Sequence, residues 1–164
     1  MLDGAARIDA MVQEAARLEM PAIAVTDHGN TFAAFEFYKA AKNVGIKPIV
    51  GIEAYVTPGT HRSDKARVRW GSPEQSSDDV SGAGAYTHMT LLSESTEGMH
   101  NLFRLSSLAS MEGYYFKPRM DREILQKYAK GLIATTGCPS GEIQTRLRLG
   151  QYDAARAAAA EFQD

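Results

Sequence analysis

An α/β architecture built on a largely parallel sheet is predicted by two features of this chain. Apolar runs of strand length alternate with stretches of helical period, and the runs are apolar throughout instead of alternating with polar residues. Strands buried on both faces read that way, and helices laid over a parallel sheet or barrel are what bury them. A third observation concerns placement: Asp27, His28 and Cys138 all stand where a predicted strand hands over to the next element. Chemistry collects at such junctions in α/β folds.

The elements follow in order. Ile8, Met11, Val12 and Ala15 have the i, i+3, i+4, i+7 spacing of an amphipathic helix over roughly residues 5–19, closed by Pro21. AIAVTD (22–27) is a first, buried strand. Ala33, Ala34, Phe37, Ala40, Ala41 and Val44 form the next helical stripe, with Gly45 at its C-cap. KPIVGIEAYV (47–56) is the second strand and YTHMTLLSE (86–94) the third, followed by a helix over 96–111. A short helix at 121–129 leads to the fourth strand, GLIATTG (131–137), and two helices close the chain, the last over 151–163. Four parallel strands are fewer than the about eight that close a barrel of this kind.

Residues 57–85 interrupt this order with a long loop that has neither period. Loops of that length are functional or disordered. Its first part sets Arg62, Lys65, Arg67 and Arg69 beside Trp70, a combination suited to phosphates and a stacked base. A solvated insertion is the simpler reading.

Composition narrows the classes. The net charge of −2 provides no global basic field of the kind that advertises nucleic-acid binding, although an enzyme can grip a strand end locally. Cys138 is the only cysteine, so no internal disulfide framework exists and a reducing cytoplasm is expected. The N-terminal MLDGAARIDA lacks a signal-peptide pattern, and no run approaches the length of a membrane span.

Each reactive residue has a plain structural reading beside its chemical one. His28, in Asp-His-Gly-Asn, suits a turn; Asp3, before a helix, suits an N-cap; His88 suits a satisfied core imidazole; Cys138 suits a buried thiol. Glu53 is different, because a carboxylate inside IVGIEAYV is costly to bury without a cation or metal. Together, two imidazoles, two carboxylates and a thiol suit zinc or another borderline metal, and the carboxylates suit manganese or magnesium as well. No Cys-x-x-Cys or His-Glu-x-x-His motif is present to decide among them. Glu53 and His28 are expected to be neighbours in space, with Cys138 on the same sheet edge.

AIAVTDHGNTFAAFEFYKAAKNVGIKPIVGIEAYV, then YTHMTLL, EGYYFKPRMD and GLIATTGCPSGEI, resemble in order the polymerase-and-histidinol-phosphatase (PHP) domain of bacterial DNA polymerase III alpha subunits. The resemblance covers essentially the whole chain. It implies a partial, distorted (β/α) barrel with mainly parallel strands over residues 1–164, with 57–85 as an insertion. It implies metal ligands at Asp3, His28, Glu53, His88 and Cys138, five of the nine that hold a trinuclear cluster in the complete domain. Arg119, in KPRMD, becomes a candidate phosphate or DNA contact, with a structural ion pair as the alternative.

The implied activity is metal-dependent 3′–5′ proofreading within a DNA-replicating nucleotidyltransferase, with a DNA 3′ end and other replisome subunits as partners. The family's opening His-x-His motif and its later Asp-x-His motif are not in the sequence, nor are palm, thumb or fingers. The chain is therefore expected to be a piece of the parent, inactive alone, prone to aggregate through unpaired strand edges, and to bind a full metal cluster only in the complete domain. Two alternatives stay open: a free-standing phosphoesterase acting on a small phosphorylated metabolite, and a non-catalytic scaffold domain of the polymerase.

Overall fold

A computed structural model describes residues 4–71, 81–136 and 138–163. The α/β fold is observed, and most elements lie where the sequence places them. Helix α1 (Ile8–Arg17) and helix α2 (Ala34–Asn43) flank strand β1 (Ala22–His28). Strand β2 (Lys47–Val56) is followed, after the long loop, by strand β3 (Thr87–Ser93) and helix α3 (Thr96–Glu112). A small hairpin, β4 (Tyr114–Tyr115) and β5 (Lys117–Met120), leads to helix α4 (Arg122–Lys127). Strand β6 (Leu132–Thr135) and helices α5 (Glu142–Arg148) and α6 (Tyr152–Glu161) complete the order.

Strand β2 is the axis of the sheet. Along one edge it pairs in parallel with β1 over residues 47–53 and then with β5 at Tyr55 and Val56. Its other edge pairs with β3, which runs antiparallel to it, and β6 runs antiparallel to β3. Thus β1, β2, β5 and β6 share one direction, while β3 is reversed. This refines the expected parallel series at one strand. The hairpin is a second difference: with two and four residues, its strands are too short to carry a period.

Alternation along β2 and β3 separates two faces. Val50, Ile52, Ala54 and Val56 join Met89 and Leu91 in a core with Leu102, Leu105 and Ala109 of α3, Met120 and Ile124. Glu53, Tyr55 and His88 belong to the alternate positions. A second core, Val12, Phe37 and Ala41 with Ile23 and Val25 packed against it, lies between α1, α2 and β1. Strand β1 was expected to be buried, but its residues Ala22–Asp27 are only partly covered, because β2 is its sole strand partner among the described residues.

The described part of the long loop is pinned to the fold. The backbone N–H of Arg62 donates to Asp121 at 2.8 Å, and its guanidinium reaches Glu112 at 2.6 Å, Asp121 at 3.0 Å and Glu123 at 3.2 Å. Trp70 is buried with the Arg146 guanidinium 4.6 Å from its ring, and its carbonyl accepts from the Gln151 side chain. It is therefore neither an exposed base-stacking ring nor part of a merely solvated insertion, the two readings the sequence left open. Among the described residues, no helix is long and apolar enough to cross a membrane.

Candidate metal centre

The stretch Thr26-Asp27-His28-Gly29-Asn30 ends β1 in a turn that is both structural and chemical. Asp27 Oδ2 accepts from the backbone N–H of Ala33 at 2.7 Å, fixing the entry to α2. Gly29 has φ +66°, and a Cβ there would lie 2.8 Å from both Pro118 Cγ and the Tyr55 ring. Only glycine accommodates both the left-handed backbone and that close approach. The turn thereby sets His28 beside β2, where its Cα is the register partner of Glu53.

Glu53 is the centre of the site. Its Oε2 lies 3.0 Å from His28 Nε2, and its Oε1 lies 2.5 Å from His88 Nδ1. The Glu53 side chain is 18% exposed and that of His88 19%, against 43% for His28. The carboxylate thus has the polar partners that its partial burial demands. His88 sits at the start of β3, diagonally across from Glu53, because its own Cα register partner is Tyr55. Its ring meets Tyr55 edge-on at 5.2 Å and stacks with Tyr86 at 5.9 Å, so two aromatic rings fix its orientation.

Cys138 arrives from the loop after β6. Thr135 of β6 is opposite Thr90 of β3, so the end of β6 returns to the edge where β3 begins. The Cys138 carbonyl accepts from Gly141 N–H at 2.9 Å, and the adjacent Ser140 carbonyl accepts from His88 N–H at 3.1 Å. Ligand atoms of Glu53, His88 and Cys138 lie within 4.8 Å of one another. One nitrogen, one oxygen and one sulfur converging in a partly covered site fit a divalent ion, and the sulfur and imidazole favour zinc or another borderline metal over a hard cation.

Four of the five expected ligands are therefore gathered at one sheet edge: His28, Glu53, His88 and Cys138. Asp3 lies outside the described residues. Arg119 is placed inside the fold, fully buried, instead of on a surface open to phosphate. Its guanidinium donates to the carbonyls of Gly113 at 3.0 Å, Ala85 at 3.2 Å, Arg62 at 2.9 Å and Asp64 at 2.8 Å. Burial pushes its pKa down, opposed by Asp64 and Tyr115. This arginine ties the long loop to the hairpin: its role is structural, as the alternative reading held, but through backbone carbonyls instead of the expected ion pair.

Another set of metal-capable side chains, His61, Asp121 and Glu123, lies apart from Glu53. The Arg62 guanidinium already occupies both carboxylates there. Burial works against the Asp121 charge, but hydrogen bonds from the backbone N–H groups of Arg62 and Ile124 and from the Arg62 side chain outweigh it. They hold the Asp121 pKa below the usual carboxylate value. Nothing local in the sequence marks this clasp, since Arg62 and Asp121 are 59 residues apart.

Comparison with known proteins places this geometry in context. The family model described as PHP domain matches residues 1–164. The chain is 60% identical to the DNA polymerase III subunit alpha of Saccharopolyspora erythraea, with 100% of this chain aligned to 14% of that protein. It is 56% identical to the subunit of the same name from Mycobacterium tuberculosis, again with 100% of the chain aligned to 14% of the relative. The Thermus aquaticus subunit is 43% identical over 96% of the chain and 12% of its own length. The chain thus spans about one seventh of the length of the first two relatives.

Proposed function

This chain belongs to the PHP domain family, and from that premise we propose that it is the metal-dependent phosphodiester-hydrolysing region of a replicative DNA polymerase alpha subunit, acting on DNA 3′ ends. The observation that carries this reading is the double contact of Glu53, 3.0 Å to His28 and 2.5 Å to His88, with Cys138 beside it. A lone structural carboxylate would need one partner. Here one carboxylate stands between two imidazoles, with a thiol in reach. That is how a single acidic group serves a metal centre of one or more ions.

His28, Glu53, His88 and Cys138 would hold the ion, with zinc, manganese and magnesium all compatible with parts of the set. Such an ion supplies Lewis acidity to a phosphate oxygen and lowers the pKa of a bound water. The chain's own residues do the rest. Glu53 holds both imidazoles, one on each carboxylate oxygen. Tyr55 and Tyr86 hold the His88 ring, and the Gly29 turn keeps His28 at the rim, where its greater exposure leaves it open to an incoming strand. Cleavage adds water to the phosphorus and breaks its bond to the 3′ oxygen of the preceding nucleotide. The terminal nucleoside 5′-phosphate leaves.

The test is a digestion of 3′-labelled single-stranded DNA by the intact gene product, with and without chelator, alongside metal analysis. Chelator-sensitive release of terminal nucleotides, lost in Glu53→Ala and His88→Ala together with bound metal, is expected. A preparation with no bound metal and no chelator-sensitive release would instead identify a scaffold domain.

A further inference from the structure

The β4–β5 hairpin bears a feature that the metal centre does not use. Phe116, between its two strands, has φ +59°, in the left-handed region that bulky side chains avoid. Its side chain does not offset that strain by packing, because Phe116 is 62% exposed. Backbone strain retained at an exposed aromatic residue points to recognition. The Phe116 ring is 4.5 Å from that of Tyr115 at a 55° tilt, and the Arg67 guanidinium lies 5.5 Å from its centre. Lys117, the next residue, places its ammonium 5.5 Å over the Tyr55 ring.

The hairpin is seated against the metal centre. Pro118, two residues from Phe116 and so within about 7 Å of chain, abuts Gly29 of the His28 turn, and Tyr55 meets His88 edge-on. Of the arginines near this hairpin, Arg62 is bound to three carboxylates and Arg119 is buried. Arg67 and Lys117 are exposed, and each lies over an aromatic ring. An aromatic face flanked by two exposed cations is the arrangement that binds single-stranded nucleic acid without reading sequence.

We propose that Phe116 stacks on a nucleobase of a single DNA strand entering the Glu53 site, with Arg67 and Lys117 holding its phosphates. The assignment rests on the hydrolytic reading above for the identity of the strand. The stacking residue itself is a binding residue and takes no part in bond cleavage.

Phe116→Gly is the informative variant, because glycine adopts φ +59° without penalty. The melting temperature should hold or rise while strand binding falls, a combination that a structural role for Phe116 would reverse. In the intact gene product, KM for digestion of single-stranded oligothymidylate should rise about 5- to 140-fold, the range expected for loss of one base–aromatic stack. The larger part of the loss should fall in KM, and Phe116→Trp should restore it. Arg67→Gln should lower the salt dependence of KM.

A readout independent of hydrolysis uses oligothymidylate carrying one 5-iodouracil near its 3′ end, irradiated in chelator. The crosslink should map to residues 114–118 and disappear in Phe116→Gly. A crosslink there without any chelator-sensitive digestion would retain the platform and overturn the hydrolytic reading. Digestion with an unchanged KM in Phe116→Gly, or a crosslink mapping elsewhere, would overturn the platform.

Discussion

His88 Nδ1 lies 2.5 Å from Glu53 Oε1, although the two residues are on strands that run in opposite directions and are not register partners. The contact exists because β3 begins at the sheet edge where β1 and β2 end. A residue at the start of a reversed strand thereby joins residues at the ends of parallel ones. The first prediction follows from that contact. Glu53→Gln keeps the shape of the side chain but removes the charge between the two imidazoles. Metal affinity of the intact gene product should fall at least 10-fold, the scale of losing even an outer partner of a metal ligand. Equilibrium dialysis with zinc or manganese measures it, and unchanged affinity would remove Glu53 from the centre.

Gly29→Ala should destabilise the fold by about 1–3 kcal/mol, the scale of a non-glycine residue forced into left-handed backbone. The added Cβ would also meet Pro118 and Tyr55 at 2.8 Å. Denaturant unfolding reports the loss. A neutral result would mean that the turn readjusts, and His28 with it.

Arg119→Met should cost about 3–5 kcal/mol, since it strips four carbonyls of a buried charged donor. Arg119→Lys should rescue little, because a single ammonium cannot reach four acceptors spread around a planar guanidinium. A stable Arg119→Met protein with weakened DNA binding would return this residue to the role of a phosphate contact.

Acid should loosen the clasp at Asp121. Its folded pKa is depressed, so its contribution to stability is fully present above the unfolded value of about 3.9 and is lost as pH falls through the folded value. Stability should therefore drop as pH falls below about 4. Asp121→Asn, which retains a cap for Ile124, should show a smaller drop over the same window. Equal acid sensitivity in the two proteins, followed by circular dichroism at fixed temperature, would locate the acid-labile group elsewhere.

How much of this was legible in the sequence varies by residue. Glu53 announced itself, because a charge within IVGIEAYV has to be satisfied wherever the strand lies. His28 and Gly29 were readable as a strand-end turn, and the resemblance gave their ligand role. Arg119 and Trp70 were ambiguous, since a guanidinium or an indole serves a surface as readily as a core. The hairpin at Tyr114–Met120 escaped notice because two-residue and four-residue strands carry no period.

The sequence by itself determined the alternation of strands and helices, the need of Glu53 for a polar or metal partner, and the inventory of metal-capable side chains. Those properties are local: they depend on hydrophobic period, turn residues and the cost of burying a charge. Only the tertiary structure decided that β3 runs backwards, that His88 thereby reaches Glu53, and that Arg62 spans 59 residues to hold Asp121. Strand direction and long-range ion pairing depend on which backbone edges meet across the sheet, and no window of sequence contains both partners.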